Sequence, residues 1–341
     1  PAEPLFRSTR LTLPLGTVTA SLATEYPIKQ GEIGKIWSND QPGYASVMDA
    51  SDKNWLGENF TVLATSADVS NDFIWLHGKL RAPVATSIKL RMLPPFRCDI
   101  QHIAVEANGD IYDNSITARQ DSVRIFGARN PNIDIIVKSA WRAGVGLWSC
   151  DGGIVHHESR KLHNNPTANA YGYGVYAAGS SRGTELRQAN TRAARHGQTT
   201  DIQKTTSFSD SNYKSHGVPL AVFIPIARAL GGYGAGVDTH EGAISTHYGT
   251  VDVSNERRNV DSTITSVGTI KGAGFQDRGE GTIVDNMVVR GTSCGVNLNS
   301  QSYPFGRDSV TRIGRLVLED IDGTGVEVDA TAYPNAPGLP Y

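Results

Sequence analysis

Two histidines and two carboxylates lie within one twelve-residue segment, GVDTHEGAISTH (236–247). Carboxyl and imidazole groups are the side chains that most often transfer protons in enzymes, and they also bind metal ions. The segment has two glycines and no helical periodicity, so a strand and a turn must position Asp238, His240 and Glu241. The chemistry of these three residues therefore depends on which side chains from other parts of the chain lie next to them.

A short sequence motif, which we call a glycine-led phrase, recurs along the chain. In each copy, glycine is followed by a stretch in which apolar and polar residues alternate. The copies read GVGLWSC (144–150), GYGVYAA (172–178), GAGVDTH (234–240), GAGFQDR (272–278) and GTGVEVD (323–329), with the variants RHGQTTD (195–201) and SCGVNLN (293–299). One glycine in each phrase serves as its mark: Gly146, Gly174, Gly197, Gly236, Gly274, Gly295 and Gly325. The intervals between marks are 28, 23, 39, 38, 21 and 30 residues.

Irregular intervals of this size predict an all-β chain wound into a parallel β-helix, in which loops of any length leave the corners. A small residue at one place in every coil lets the coils stack closely. The apolar residues after the marks are expected to stack inside: Leu147, Val175, Val237, Phe275, Val296 and Val326. A β-sandwich also has short alternating strands but does not explain the recurring phrase. We expect residues 1–60 to form an N-terminal cap or lead-in, residues 61–330 the β-helix, and residues 331–341 an extended tail.

Two outward-facing columns follow from this alignment. The first, two residues after each mark, contains Trp148, Tyr176, Thr199, Asp238, Gln276, Asn297 and Glu327. The second, four residues after each mark, contains Cys150, Ala178, Asp201, His240, Arg278, Asn299 and Asp329. Together the two columns form one continuous strip. From its first coil to its last, the strip carries aromatic, then ionisable, then amide side chains, which is the composition of a sugar-binding groove. The alternatives are that Asp and Asn form solvated ladders, and that the aromatic pair forms a trimer contact.

Two reactions fit the ionisable part of the strip. Asp201 and Asp238, one coil and two residues apart, are expected about 8 Å from each other, which favours inverting glycoside hydrolysis. Alternatively, Arg278 holds the carboxylate of a uronate while His240 or a tyrosine removes the neighbouring proton in a β-elimination. His240 and Glu241 could also form a Ca²⁺ or Zn²⁺ corner, but two side chains do not complete a coordination sphere. We therefore expect no metal and no cofactor.

The overall composition excludes several classes of partner. The net charge is −2 with scattered Lys and Arg, which argues against nucleic-acid binding. No apolar run approaches the roughly 20 residues of a membrane span, and the first residues lack the apolar core of a signal peptide. The three cysteines are far apart, so we expect free thiols and no disulfide framework.

The phrases RHGQTTD, VDTHEG and GFQDRGEGTIVDN, in this order and spacing, resemble phage tail proteins with a pectate-lyase-like right-handed β-helix, the tailspike and depolymerase group. The resemblance covers roughly residues 100–330. It departs from the group's pattern at Gly197, Gln198 and Asp277. The shared positions it implies are Arg195, His196, Thr199, Thr200, Asp238, Thr239, His240, Glu241, Gln276 and Arg278.

The resemblance also implies a function and a setting. It implies a homotrimer on the virion tail, beside other tail proteins, that binds or degrades a host cell-surface polysaccharide: capsule, exopolysaccharide or O-antigen. Arg195 and His196 would contact substrate. The alternatives are a fibre or baseplate β-helix without catalysis, and a secreted pectinase-like enzyme acting as a monomer.

Overall fold

The computed structural model of the protein describes nineteen segments of the chain. These are residues 10–14, 28–38, 53–54, 57–67, 71–77, 80–81, 88–94, 96–106, 121–140, 143–160, 162, 172–192, 196–201, 204–205, 219–231, 234–240, 243–254, 272–299 and 310–329. All regular elements within these segments are β-strands. No helix in the described part of the chain is long and apolar enough to cross a membrane.

An antiparallel sheet occupies the N-terminal part of the described chain. Its strands are β1 (Arg10–Pro14), β2 (Ile33–Trp37), β4 (Gly57–Ala67), β5 (Asn71–Leu76) and β6 (Lys89–Met92), in the order β1-β5-β4-β2-β6. The short β3 (Lys53–Asn54) pairs with β15 (Lys204–Thr205). Apolar side chains from β2, β4 and β5 form a separate small core. Polar residues of this sheet contact Ser149, which lies in the later part of the chain: Lys35 Nζ donates to Ser149 Oγ at 2.6 Å, and Asn59 Nδ2 donates to the Ser149 carbonyl at 3.1 Å.

Two parallel sheets of eight strands each form the remainder. The front sheet contains β8 (Val123–Phe126), β10 (Ala143–Trp148), β12 (Tyr173–Ala178), β14 (His196–Asp201), β17 (Val237–Thr239), β19 (Ala273–Asp277), β21 (Cys294–Asn299) and β23 (Thr324–Asp329). The back sheet contains β7 (Asp99–Val105), β9 (Asn132–Val137), β11 (Ile154–Ser159), β13 (Glu185–Arg192), β16 (Phe223–Leu230), β18 (His247–Ser254), β20 (Ile283–Arg290) and β22 (Arg312–Glu319).

Along the chain, the strands of these two sheets belong alternately to the back and the front sheet, so that one strand of each forms a coil. Each strand pairs in parallel with the strand of the next coil. A third column of single parallel bridges links the corners of six successive coils: Arg129, Asp151, Arg182, Leu220, Ile244 and Glu280. The predicted parallel β-helix is therefore confirmed. A sandwich of antiparallel sheets is excluded, because neighbouring strands in both large sheets run in the same direction.

The β-helix starts later in the chain than the sequence predicts. The strand β4 crosses residue 60, and β4 to β6 belong to the antiparallel sheet, whereas the first strand of the coil is β7 at Asp99. The alternation of apolar and polar residues is the same in antiparallel and parallel strands. For this reason the sequence alone assigns residues 61–92 to the β-helix. The expected tail, residues 331–341, lies outside the described residues.

The predicted register holds from Gly174 to Gly325. Across the front sheet, one outward column pairs in the expected succession: Tyr176, Thr199, Asp238, Gln276, Asn297 and Glu327. The inward column beside it stacks Val237, Phe275 and Val296 in the large core of the β-helix. Strand pairing of this kind places side chains from residues about forty positions apart in direct contact.

The first phrase, GVGLWSC, is shifted by two residues from its predicted register. Val145, not Leu147, pairs with Val175, and Gly146 pairs with Tyr176, so Gly144 occupies the position of the mark. A Cβ added to Gly146 would lie 2.6 Å from the Tyr176 hydroxyl, which explains the second glycine. A shift of two preserves which side chains face inward, so alternation alone does not reveal it.

Close stacking at the marks makes Gly174 hard to replace. A Cβ at this position would overlap the carbonyl oxygen of Gly197 and the Oγ1 of Thr191. We expect Gly174→Ala to lower the free energy of unfolding by about 1–3 kcal/mol, measured by urea denaturation. Gly325→Ala is the matched control, because there the nearest atom to the new Cβ is Leu318 Cδ1 at 3.4 Å. Equal losses in the two variants would show that coil stacking is not the cause.

Candidate functional site

Three adjacent front-sheet strands bring charged side chains together. The strands β14, β17 and β19 lie side by side, with Thr199 paired to Asp238. Pairing continues past the strand ends, because the amide of His240 donates to a β14 carbonyl at 2.8 Å and that of Arg278 to a β17 carbonyl at 2.7 Å. The structure thus places Asp238, His240 and Arg278 in contact. With Thr199 and His196 they form what we call the Asp238 cluster.

Asp238 is the centre of this cluster and is fully buried. Its Oδ2 accepts hydrogen bonds from Arg278 Nη2 at 2.8 Å and Thr199 Oγ1 at 3.3 Å, and it lies 2.9 Å from His240 Nε2. Burial alone would raise the pKa of Asp238, but the charges of Arg278, His240 and His196 hold that pKa well below its usual range. Asp238 is therefore an ionised carboxylate that can orient and charge-balance its neighbours.

His240 and Arg278 are the members of the cluster whose side chains reach the surface. Their side chains are 14% and 11% exposed, whereas that of Asp238 is 0% exposed. When the Nε2 of a neutral His240 carries its proton toward the Asp238 carboxylate, its Nδ1 carries the lone pair. The guanidinium of Arg278 is a permanent cation with five N–H donors, and its Nη2 donates to Asp238 Oδ2.

His196 is a buried member of the Asp238 cluster. Its Nδ1 lies 2.9 Å from the carbonyl oxygen of Ala235, which can only accept, so Nδ1 carries the proton and Nε2 the lone pair in the neutral ring. The ring stacks on Tyr173 at 5.5 Å and meets His240 edge-on at 5.8 Å. One ligand atom from each of His196, Asp238 and His240 lies within 4.8 Å of the other two.

The aromatic end of the strip is packed and closed, unlike the open platform that the sequence predicts. Trp148 is 5% and Tyr176 2% exposed, with their rings edge to face at 5.5 Å. Because of the two-residue shift, Trp148 pairs with Ala178 and belongs to the neighbouring column. The Tyr176 hydroxyl donates to Asp121 Oδ2 at 2.7 Å, and Arg124 Nε donates to the same oxygen at 2.8 Å. Neither large ring is open to a sugar in this structure.

Sequence reasoning missed Asp121 as part of this surface. It precedes β8, the first front-sheet strand, whose phrase SVRIF carries no glycine mark. The alternation of polar and apolar residues in SVRIF was the signal that could have located this strand. Cys150, expected in the outward column, is instead buried in the core, and Ile125 and Trp148 carbonyls lie 3.7 Å from its sulfur.

The amide end of the strip is in place and partly open. Gln276 is half-buried beside Asp238, and it pairs with Asn297 on the next coil. Asn297 Nδ2 donates to Glu327 Oε2 at 3.0 Å, so these polar side chains form a ladder along successive coils. They could accept and donate hydrogen bonds to sugar hydroxyls.

Four of the predicted site residues have side chains outside the described part of the structure. Arg195 and Glu241 lie outside the described residues. The backbones of Asp201 and Asn299 end β14 and β21, but their side chains also lie outside the described part. The strands that carry Asp201 and Asp238 lie side by side, and the distance between the two carboxylates stays a prediction.

Asp277 points into the coil beneath the Asp238 cluster. Its Oδ1 accepts hydrogen bonds from the Gly279 amide at 3.0 Å and Thr282 Oγ1 at 2.9 Å, and Thr311 donates to Oδ2. Burial, which these hydrogen bonds only partly offset, raises the pKa of Asp277 from 3.8 to about 6. An ionisable group therefore sits at a position that a β-helix normally fills with an apolar side chain.

This raised pKa predicts how stability depends on pH. Protonated Asp277 is favoured in the folded state, so its contribution to stability is fully present below about pH 4 and is lost as pH rises through about 6. The loss amounts to at most about 3 kcal/mol. Asp277→Asn should abolish it and be more stable than the wild type at pH 7.5 by about 1–3 kcal/mol. Urea unfolding at pH 4 and 7.5 measures this, and a pH-independent difference would exclude Asp277 as the titrating group.

Comparison with known proteins gives matches among solved structures. No family model matches the chain, and no curated protein matches it. Among solved structures, the tailspike protein gp49 of Pseudomonas phage LKA1 aligns with 95% of this chain, at 14% sequence identity and a TM-score of 0.43. The alignment spans 64% of the length of gp49.

Proposed function

We propose that the protein is a phage tailspike-type depolymerase that binds a host surface polysaccharide at the Asp238 cluster and cleaves it. The observation that carries this proposal is the contact of Asp238 with both His240 and Arg278, at 2.9 Å and 2.8 Å. A proton-transfer group held by a buried carboxylate, beside a permanent cation, is an arrangement suited to acid–base chemistry on an anionic substrate. The resemblance of three sequence phrases to tailspikes supports a virion tail setting and a homotrimer.

The geometry favours β-elimination over the hydrolysis that two carboxylates suggest in the sequence. Inverting hydrolysis needs one carboxylic acid that protonates the leaving oxygen. Asp238 is unsuited to that role, because its hydrogen bond from Arg278 and the nearby charges keep it ionised. Its burial also separates it from the water that the other carboxylate of an inverting pair activates. Elimination instead needs a base and a cation, and His240 and Arg278 supply both.

In the proposed reaction Arg278 binds the carboxylate of a uronate residue. His240 Nδ1 takes the proton at C5, the electron pair of that C–H bond forms the C4=C5 double bond, and the C4–O bond to the next sugar breaks. The leaving oxygen takes up a proton from water or from the imidazolium. Asp238 is a positioning residue, which orients His240 and stabilises the imidazolium as it forms.

A second candidate is a tail β-helix that binds glycan without cleaving it. Burial of Trp148, Tyr176 and Asp238 favours this reading, because a structural ion-pair network needs no access to substrate. An open groove on the back sheet, of about 380 Å³, offers a binding surface elsewhere. It is lined by polar and charged side chains that include Glu158, Arg228 and Asp252.

The two candidates separate in one experiment. The protein is incubated with capsule, exopolysaccharide or O-antigen from candidate hosts, and polymer size and ultraviolet absorbance are followed together. Shortening with the absorbance of an unsaturated uronate is the expected result. Shortening without that absorbance would replace elimination with hydrolysis, and binding without shortening would favour the second candidate. Sizing of the native protein separates a trimer from a monomeric secreted enzyme.

A further inference from the structure

We propose that His196, Asp238 and His240 form a binding site for a transition-metal ion of the Zn²⁺ class. One ligand atom from each residue lies within 4.8 Å of the other two. Ligand atoms about 2.0–2.1 Å from a tetrahedral zinc ion are about 3.3 Å from one another, so small side-chain movements bring this set to bonding distance. Two imidazoles and one carboxylate are ligands that zinc takes, with a fourth position open.

His196 is held in the orientation that a metal ligand needs. Its Nδ1 donates to the carbonyl oxygen of Ala235 at 2.9 Å, and this leaves the lone pair of the neutral ring on the buried Nε2. Metal-ligating histidines almost always donate their other ring N–H to a carbonyl or carboxylate, which fixes the tautomer and the ring orientation. The stacking of His196 on Tyr173 at 5.5 Å holds the ring further.

Asp238 offers one oxygen to a metal while it keeps its ion pair. Its Oδ2 binds Arg278 and Thr199, whereas its Oδ1 is buried and accepts no hydrogen bond from any residue that the structure describes. A buried carboxylate oxygen without a partner is costly, and an ion at Oδ1 would satisfy it.

The ion pair also determines which metals this site prefers. Because Arg278 neutralises the charge of Asp238 at 2.8 Å, a cation gains little from charge attraction alone. Affinity then depends on the two imidazole nitrogens, which favour Zn²⁺, Co²⁺ and Ni²⁺. Ca²⁺ and Mg²⁺ prefer shells made of oxygen atoms and should bind weakly.

A bound ion would change the chemistry of His240. A metal on Nε2 displaces the proton from that nitrogen, and the neutral ring then carries its proton on Nδ1. The lone pair that the proposed elimination uses is lost, so Zn²⁺ should inhibit cleavage. This consequence rests on the proposed function, whereas metal binding itself does not.

Calorimetric titration of the full chain with Zn²⁺, Co²⁺ and Ca²⁺ tests the site. We expect one Zn²⁺ per chain, weak Ca²⁺ binding, and Zn²⁺ affinity at least about 100-fold lower in His240→Ala. The Co²⁺ complex should show the visible bands of nitrogen and oxygen ligation. Thiolate charge-transfer bands would place the ion at a cysteine such as Cys98 and overturn the proposal.

His247→Ala is the matched control, since His247 is a more exposed histidine that contacts Asp285 at 3.0 Å on the back sheet. Its Zn²⁺ affinity should equal that of the wild type. His196→Gln tests the buried ligand, and where it fails to fold, the partly exposed His240 decides the outcome. Unchanged Zn²⁺ binding in a folded His240→Ala protein would refute the site. Because calorimetry needs no polysaccharide, its result does not depend on whether the protein cleaves one.

Discussion

Asp238→Asn is expected to lower the free energy of unfolding by about 3–5 kcal/mol. The substitution leaves the guanidinium of Arg278, only 11% exposed, without the counter-charge now 2.8 Å away. Removal of one partner from a buried ion pair is costly because the other charge stays buried and uncompensated. Urea denaturation at neutral pH measures the loss. The sequence places Asp238 on an outward column, which suggests an exposed carboxylate. Loss of an exposed carboxylate would change the free energy of unfolding very little.

Two comparison variants isolate the ion pair. Asp252→Asn removes a carboxylate that contacts Arg290 at 3.2 Å on the exposed back sheet, and it should cost no more than about 1 kcal/mol. The double variant Asp238→Asn/Arg278→Met should lose less stability than Asp238→Asn alone, because no unpaired charge remains. Equal losses in the single and double variants would mean that Asp238 stabilises the coil by some other contact.

Much of the fold was predictable because one physical requirement repeats in every coil. Close stacking requires a small residue at most of the marks, and Gly174 and Gly197 show this directly, since a Cβ on either would overlap the next coil. Counting from those glycines correctly places Asp238 opposite Gln276 and brings Arg278 to Asp238. The forty residues that separate Asp238 from Arg278 in the chain do not matter once the register is fixed.

Other features were not predictable from the pattern. The phrase AGVGLW has two glycines on the same face, and only the contact of Gly146 with the Tyr176 ring selects Gly144 as the mark. A residue that points away from the coil axis is not thereby exposed, as the burial of Tyr176 and Asp238 shows. Alternation reports the direction of a side chain relative to its own sheet and carries no information about what packs on top of it.

His240→Ala is expected to lower the rate of polymer cleavage by about 10²–10⁴-fold, the usual contribution of a general base. The production of unsaturated uronate on a cleaved host polysaccharide measures this rate. Stability should change far less than in Asp238→Asn, since His240 is partly exposed and its removal leaves Asp238 paired with Arg278. His247→Ala is the control for loss of a histidine and should retain wild-type activity. A His240→Ala protein with more than about a tenth of the wild-type rate would exclude His240 as the base.

The roles of His240 and Asp238 separate in a double-mutant cycle. If Asp238 acts on the reaction only through His240, then Asp238→Asn should slow the wild-type enzyme, and it should have little further effect on the rate of His240→Ala. Arg278→Lys should instead raise KM more than it lowers kcat, because a lysine keeps the charge but loses the planar guanidinium donors that hold a carboxylate. Additive effects of Asp238→Asn and His240→Ala on kcat, measured on folded protein, would place the carboxylate in direct contact with the substrate. That result would restore the hydrolytic role in which Asp238 works with Asp201, because an acid that acts independently of His240 has no place in the elimination.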